Sequence, residues 1–374
     1  MTIIFCPFSN SRKFKKIHSI KKFPIFMGVS KRPKNYKFQD LNWWINKDSG
    51  NVQIYPKISL DKLYFKSHGS GTVGKVWRDH HNFFFRLLKR FVKGHICEIG
   101  GGSNSILNKI KNFSKIKVFY SFDKNLKLKK SNKKIIKIRD FFGNSFFKNK
   151  KDIIFDLVVH SHTFEHLYDP DKFLITVKSI LKKNGVHIFT MPNMKPMIEK
   201  GFANAMNFEH PFFYDESLID NLLYKNNFKI IKKIFFKKDH SIMYITKISK
   251  SYKPSFYLKY QQNLKLFNSM FDFWKNDIWK INKLIKNNSN IFIFGAHIFS
   301  QNLLFSGLCQ KKLIGILDND PNKISNFLYG TNLKVYSPLI LKNMEKPCVI
   351  LRAGSYNNEI KKQIYKINPK SIVI

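Results

Sequence analysis

From His95 to about residue 250, short apolar runs alternate with helix-length amphipathic segments, and this alternation restricts the chain to few folds. Strands are expected at residues 95–99, 117–122, 135–138, 156–160 and 186–190, with helical segments between them, including 170–182. Two β-rich runs, 229–236 and 241–247, are separated by Lys-Lys-Asp-His and read as a closing hairpin. Such alternation specifies a mostly parallel, doubly wound α/β sheet.

The flanks differ from this core. Residues 1–75 read as a small irregular domain rich in Lys, Pro and Gly, with short strands near 51–55. Over 76–91, Trp77, Phe84, Leu87, Leu88 and Phe91 keep a helical period that stops at Gly94. Beyond a break near 249–254, residues 256–286 read as a helix with Phe267, Phe271, Trp274 and Ile278 near one face. A second, smaller Rossmann-like pattern follows, with strands at 290–294, 313–317 and 348–351. A chain of 374 residues exceeds one ordinary core. Three domains are expected, at 1–90, 91–250 and 251–374.

The net charge of +43 raises the question of nucleic acid. Its lysines are spread over all thirds of the chain among Asn, Ile and Phe, whereas a nucleic-acid footprint needs clustering on one face. The charge therefore reads as compositional drift toward AT-rich codons, and nucleic acid is not the expected partner. No apolar run approaches the ~18–20 residues of a membrane span, and Met-Thr-Ile-Ile-Phe-Cys does not read as a secretory leader, so a cytoplasmic location is expected. Cys6, Cys97, Cys309 and Cys348 are scattered and form no C-x-x-C pair.

The motif with chemical content is Ile96-Cys97-Glu98-Ile99-Gly100-Gly101-Gly102-Ser103, a buried strand running directly into glycines. Glycine there permits a sharp turn and close approach of backbone to ligand. Asp123 closes the next strand, where a carboxylate can accept both ribose hydroxyls of an adenosine. A dinucleotide site would want a third Gly or Ala where Ser105 stands. S-adenosylmethionine has no pyrophosphate to cradle and does not need it, so Glu98, Gly100, Gly102 and Asp123 are expected to form its site.

These residues resemble the class I methyltransferases. That likeness extends to Asp140 after the third strand, to the segment from Asp156 to His166 with Asp169-Pro170 behind it, to Gly185 in a Lys-x-Gly turn, and to Pro192-Asn193. It covers about 95–250 and implies that Asp140 and Ser161 also face the cofactor. The whole chain is similar to three-domain sugar C-methyltransferases acting on nucleotide-linked keto-sugars. Their C-terminal Rossmann-like domain is matched at Phe294-Gly295-Ala296, from Leu317 to Lys323, and at 335–338. Their N-terminal domain carries two C-x-x-C pairs holding zinc, matched here by Cys6/Ser9 and Asn46/Ser49. Only one thiolate remains of the four ligands a structural zinc wants, so no zinc is expected.

For catalysis, the family's Tyr-x-Glu-His motif is matched by Asn207-Phe208-Glu209-His210. His210 is the expected general base, since an imidazole pKa of about 6.5 suits neutral pH, and Glu209 would orient it or hold substrate hydroxyls. The family's N-terminal arm closes over the active site, which implies that Tyr64 and His68 touch substrate, with Asn207 beside them. His160 and His162 share a strand face, but with no cysteine nearby they and His166 are not expected to bind metal. The expected activity is methylation, at C or O, of a sugar or nucleotide-linked sugar. An RNA methyltransferase and a cofactor-binding protein without catalysis are the alternatives, and the oligomeric state stays open.

Overall fold

A computed structural model describes residues 4–64, 74–102, 106–110, 113–125, 134–147, 153–249 and 258–374. The chain gathers into two compact units. One comprises Gly74–Lys195 and Glu209–Leu258, and the other Met1–Val73, Pro196–Phe208 and Lys259–Ile374.

The N-terminal segment is not irregular. It contains β1 (Phe14–Pro24), β2 (Val29–Ser30), β3 (Phe38–Asn46) and β4 (Val52–Ile54), and β1, β3 and β4 form an antiparallel sheet in that order. The strand pattern was hidden because β1 changes register between Lys16 and His18 and again between Ile20 and Phe23. Each irregularity resets the two-residue alternation by which a half-buried strand is recognised.

The unit around the central sheet contains β5 (Gly94–Ile99), β6 (Ile116–Phe122), β7 (Ile135–Ile138), β8 (Phe155–Ser161), β9 (Leu181–Pro192), β10 (Phe228–Phe236) and β11 (Ser241–Ile248). Their order is β10-β11-β9-β8-β5-β6-β7; β5 to β9 run parallel and the final hairpin antiparallel. Ile96, Phe119, Leu157, Val159 and Ile188 pack beneath the helix Lys75–Leu88, whose Phe84 and Leu88 are buried. His160, His187 and Phe189 stack on the opposite face, with the two imidazoles joined Nε2 to Nε2 at 3.0 Å. Covered on both faces, these strands read as continuous apolar runs. The helix expected over 170–182 spans Pro170–Ile180, capped by the Asp169 side chain accepting from the Lys172 N–H.

The other unit continues with the helix Tyr260–Leu284, which buries Phe267, Phe271, Trp274 and Ile278 as expected. Phe271 stacks on His18 at 4.1 Å, and Trp274 donates to the Gly201 carbonyl at 2.7 Å. Then come β12 (Ile291–Phe294), β13 (Leu313–Leu317), β14 (Phe327–Leu328), β15 (Val335–Tyr336), β16 (Cys348–Leu351) and β17 (Ile372–Val373). Five of these form a parallel sheet, β15-β13-β12-β16-β17, while β14 pairs with β2. The two-residue edge strands β15 and β17 are too short to show a period in the sequence. Among the described residues no helix is long and apolar enough to cross a membrane.

Candidate cofactor and acid–base site

From β5 the chain passes to β6 and β7 on one side and then returns to β8 on the other, so the order reverses between β5 and β8. Ligands of open α/β sheets bind at the carboxyl ends of strands flanking such a switch point. Here that place is occupied by the glycine elbow after β5 and the loop after β8. The two touch: the Thr163 hydroxyl donates to the Ile99 carbonyl at 3.3 Å.

Local backbone conformation explains the glycines. Gly100 has φ of 71°, and a Cβ there would meet Thr163 Oγ1 at 2.3 Å. Gly102 has φ of 51°, again left-handed, and its N–H donates to Asp123 Oδ2 at 3.0 Å. The other carboxylate oxygen of Asp123 accepts from the Asn125 N–H at 2.7 Å. Partial burial raises the Asp123 pKa from the ordinary aspartate value, against the pull of both backbone donors. Each oxygen keeps further acceptor capacity for a ribose hydroxyl.

Glu98 is placed underneath this elbow. It is 2% exposed, and its carboxylate accepts from the Ile106 N–H and from the Ser121 hydroxyl, the latter at 3.3 Å. A buried carboxylate demands such partners, so Glu98 shapes the loop that carries the glycines. Asp140 is exposed, with Oδ1 accepting from the Phe141 N–H at 2.8 Å. Ser161 ends β8 and offers its carbonyl to Thr163. Ser103, Ser105 and His68 lie outside the described residues, as does most of the glycine-rich stretch after Tyr64. Tyr64 and Asn207 belong to the other unit, and the Asn207 amide donates to the Asn204 carbonyl at 3.4 Å.

His160, His162 and His166 do not share a face. β8 ends at Ser161 and His162 takes φ of 51°, which breaks the strand alternation. His160 stays in the core beside His187, whereas His166 turns toward His210, their ring centroids 4.7 Å apart. His166 Nδ1 lies 3.1 Å from the Glu209 carbonyl oxygen. Glu165, 1% exposed, completes this group, and a ligand atom of each of Glu165, His166 and His210 lies within 4.8 Å of the others. Burial pushes the Glu165 pKa up to about 7, against the opposing pull of His210. A carboxyl poised near neutrality beside two imidazoles can hold and pass a proton.

The sequence singled out His210 but not Glu165, which the structure places near it. The missed signal was a glutamate three residues after a histidine at the end of a buried strand, a spacing that brings His162 Nδ1 within 3.1 Å of Glu165 Oε1.

Residues 72–233 match a family model described as a methyltransferase domain. The chain carries a class I S-adenosylmethionine-dependent methyltransferase domain. No curated protein matches the chain. Among solved structures, an S-adenosylmethionine-dependent methyltransferase from Mesorhizobium loti aligns at 13% identity and TM-score 0.37, covering 47% of this chain and 100% of its own. One from Clostridium acetobutylicum aligns at 15% identity and TM-score 0.32, covering 50% of this chain and 96% of its own.

The methyltransferase domain uses S-adenosylmethionine as its cofactor, and the residues present fit it. At Gly102 a Cβ would meet, among the described residues, only Asp123 Oδ2, at 3.6 Å, so the backbone is open beside a carboxylate that retains acceptor capacity. The cofactor supplies a methyl group on a sulfonium that carries its own leaving group, so the protein's task is to position the acceptor and take up its proton.

Proposed function

We propose that the methyltransferase domain acts on a sugar or nucleotide-linked sugar, with His210 as the general base. The observation carrying this reading lies in the N-terminal sheet. The four positions matched to the zinc cysteines of the sugar C-methyltransferases come together in space. Asn46 Oδ1 accepts from the Ser9 hydroxyl at 3.2 Å and from the Ser49 hydroxyl at 3.0 Å, and Cys6 Sγ lies 3.7 Å from Ser49 Oγ. The donor set does not fit zinc, because three of the four groups are a neutral amide and two hydroxyls already bonded to one another. Hydrogen bonds stand where metal bonds would, and this convergence of the four positions supports the reading. A parallel C-terminal sheet in the same unit adds support.

His210 is half-buried beside His166 and close to Glu165. Removing a proton from an acceptor hydroxyl, or from a carbon next to a ketone, needs a base of this kind. Glu165 is suited to receive or return that proton through its raised pKa.

The test is mass spectrometry of nucleotide-sugars and free sugars incubated with the full chain and S-adenosylmethionine. A gain of one methylene on a nucleotide-linked sugar, lost in His210→Gln, is the expected result. Methyl transfer to RNA alone, or to none of the sugars, overturns the substrate reading.

A further inference from the structure

A second histidine cluster lies on the other side of Glu165. His80 comes from the helix Lys75–Leu88, His162 from the loop after β8, and His240 from the residue preceding β11. A ring nitrogen of each lies within 4.8 Å of one from each of the others. The ring centroids are 5.2 Å apart for His80–His162 and His80–His240, and 6.1 Å for His162–His240. Trp77 covers the group edge-on, 4.8 Å from His162 and 4.9 Å from His240.

Each ring has one nitrogen tied to a fixed partner. His80 Nε2 lies 3.1 Å from Thr190 Oγ1, His162 Nδ1 lies 3.1 Å from Glu165 Oε1, and His240 Nδ1 lies 2.6 Å from Ser241 Oγ. Metal-binding histidines are oriented this way, the second nitrogen held by a carboxylate, carbonyl or hydroxyl. His80 Nδ1 and His240 Nε2 are buried with no hydrogen-bond partner among the described residues, although the two side chains are 0% and 6% exposed. Buried polar atoms of this kind call for a partner.

The geometry points to a divalent transition-metal site formed by His80, His162 and His240, oriented through Glu165, Thr190 and Ser241. Three imidazoles suit zinc, and also nickel, copper or cobalt. The ligand atoms are His80 Nδ1, His240 Nε2 and His162 Nε2. The last lies 3.0 Å from Ser241 Oγ, a contact the metal would replace while that hydroxyl keeps its bond to His240 Nδ1. Tetrahedral ligands at zinc bond lengths stand about 3.3–3.4 Å apart, so the rings close inward by side-chain rotation. Burial keeps the imidazoles uncharged: His162 and His240 are each lowered to about 3, and His80 is lowered further. Neutral rings offer lone pairs at physiological pH. With three protein ligands, the fourth position is open to water or another donor.

Metal at this site would tie the helix Lys75–Leu88 and the hairpin turn to the loop after β8. It would also fix His162 against Glu165, whose carboxyl reaches toward His210. The proposal does not depend on the substrate assigned above.

Full-length chain stripped with a chelator is titrated with Co²⁺ alone and then with Zn²⁺, while visible absorption and bound metal per chain are read. About one equivalent of cobalt with a tetrahedral-type spectrum, displaced by zinc, is expected. His240→Gln should weaken cobalt binding at least tenfold while retaining S-adenosylmethionine binding, which reports that the domain is folded. Glu165→Gln should weaken it about 10- to 100-fold, the usual cost of losing an orienting partner. Cobalt bound equally well by wild type and His240→Gln, or bound by neither, overturns the site and leaves three neutral histidines packed under Trp77.

Discussion

The Thr163 hydroxyl stands 2.3 Å from where a Cβ on Gly100 would be, so the two loops of the cofactor site approach too closely for any side chain at that elbow. Gly100→Ala should therefore suffer twice, from the clash and from a φ of 71° that an L-residue rarely adopts. We expect S-adenosylmethionine affinity to fall at least tenfold and stability by about 1–3 kcal/mol. The clash is with a side chain and the strain is in the backbone, so Thr163→Gly added to Gly100→Ala should relieve the first and leave the second. Calorimetric titration and thermal unfolding of the two variants separate these contributions; unchanged affinity in Gly100→Ala would place the cofactor elsewhere.

Asp123 gives the cofactor site a pH dependence of known sign. Only the ionised carboxylate accepts from both ribose hydroxyls, and burial raises its pKa in the folded domain. Affinity should be full above that raised value and decline as pH falls through it, beginning at a higher pH than for an exposed aspartate. Folding stability of the free domain moves oppositely. In the window between the unfolded and folded pKa values the native state binds more protons, so this group's contribution improves on acidification. Asp123→Asn should lose about 10- to 100-fold in affinity, following the worth of hydrogen bonds to a charged group, and should flatten the pH profile. An equally steep acid limb in Asp123→Asn would assign the titration to another group.

Much of this site was legible because its demands are local. A strand ending in glycines and an aspartate closing the next strand are determined by a few neighbours, and β5 and β6 fall where periodicity places them. The antiparallel N-terminal sheet was not legible, because irregularities in β1 broke the alternation. Nor was the partnership of His80, His162 and His240. These residues are drawn together across 160 positions by the sheet, and His162 leaves its strand through a left-handed φ that no propensity of histidine announces. Glu98 shows the intermediate case. Its position in the motif was plain, but its burial beneath the elbow, accepting from Ile106 and Ser121, depends on tertiary packing.

His210→Gln tests the acid–base group directly. Glutamine keeps a hydrogen-bonding side chain of similar reach but takes up no proton near neutrality. Methyl transfer should fall about 10²–10⁴-fold, the usual contribution of a general base, with S-adenosylmethionine affinity within twofold of wild type. Single-turnover kinetics with saturating cofactor would show this as a loss in the chemical step. A loss confined to KM would instead make His210 a substrate-holding residue.

The hydrogen-bonded group of Cys6, Ser9, Asn46 and Ser49 makes a final prediction that concerns folding energetics alone. Asn46 is fully buried, and its Oδ1 accepts from two hydroxyls and from the N–H groups of Asp48 and Ser49. Asn46→Ala should cost about 1–3 kcal/mol, because it removes the shared acceptor of four donors, most of them partly buried. Replacing Ser9, Asn46 and Ser49 together by cysteine would set three further thiols beside Cys6 and remove the same hydrogen bonds. If the four side chains converge as closely as their bonds indicate, this variant should bind one more equivalent of zinc than wild type and be destabilised by chelator. Cobalt loading distinguishes it from any histidine site, since thiolate ligands add near-ultraviolet sulfur-to-metal charge transfer that imidazoles lack. A triple variant that gains no metal would show that the positions are bonded neighbours without tetrahedral geometry.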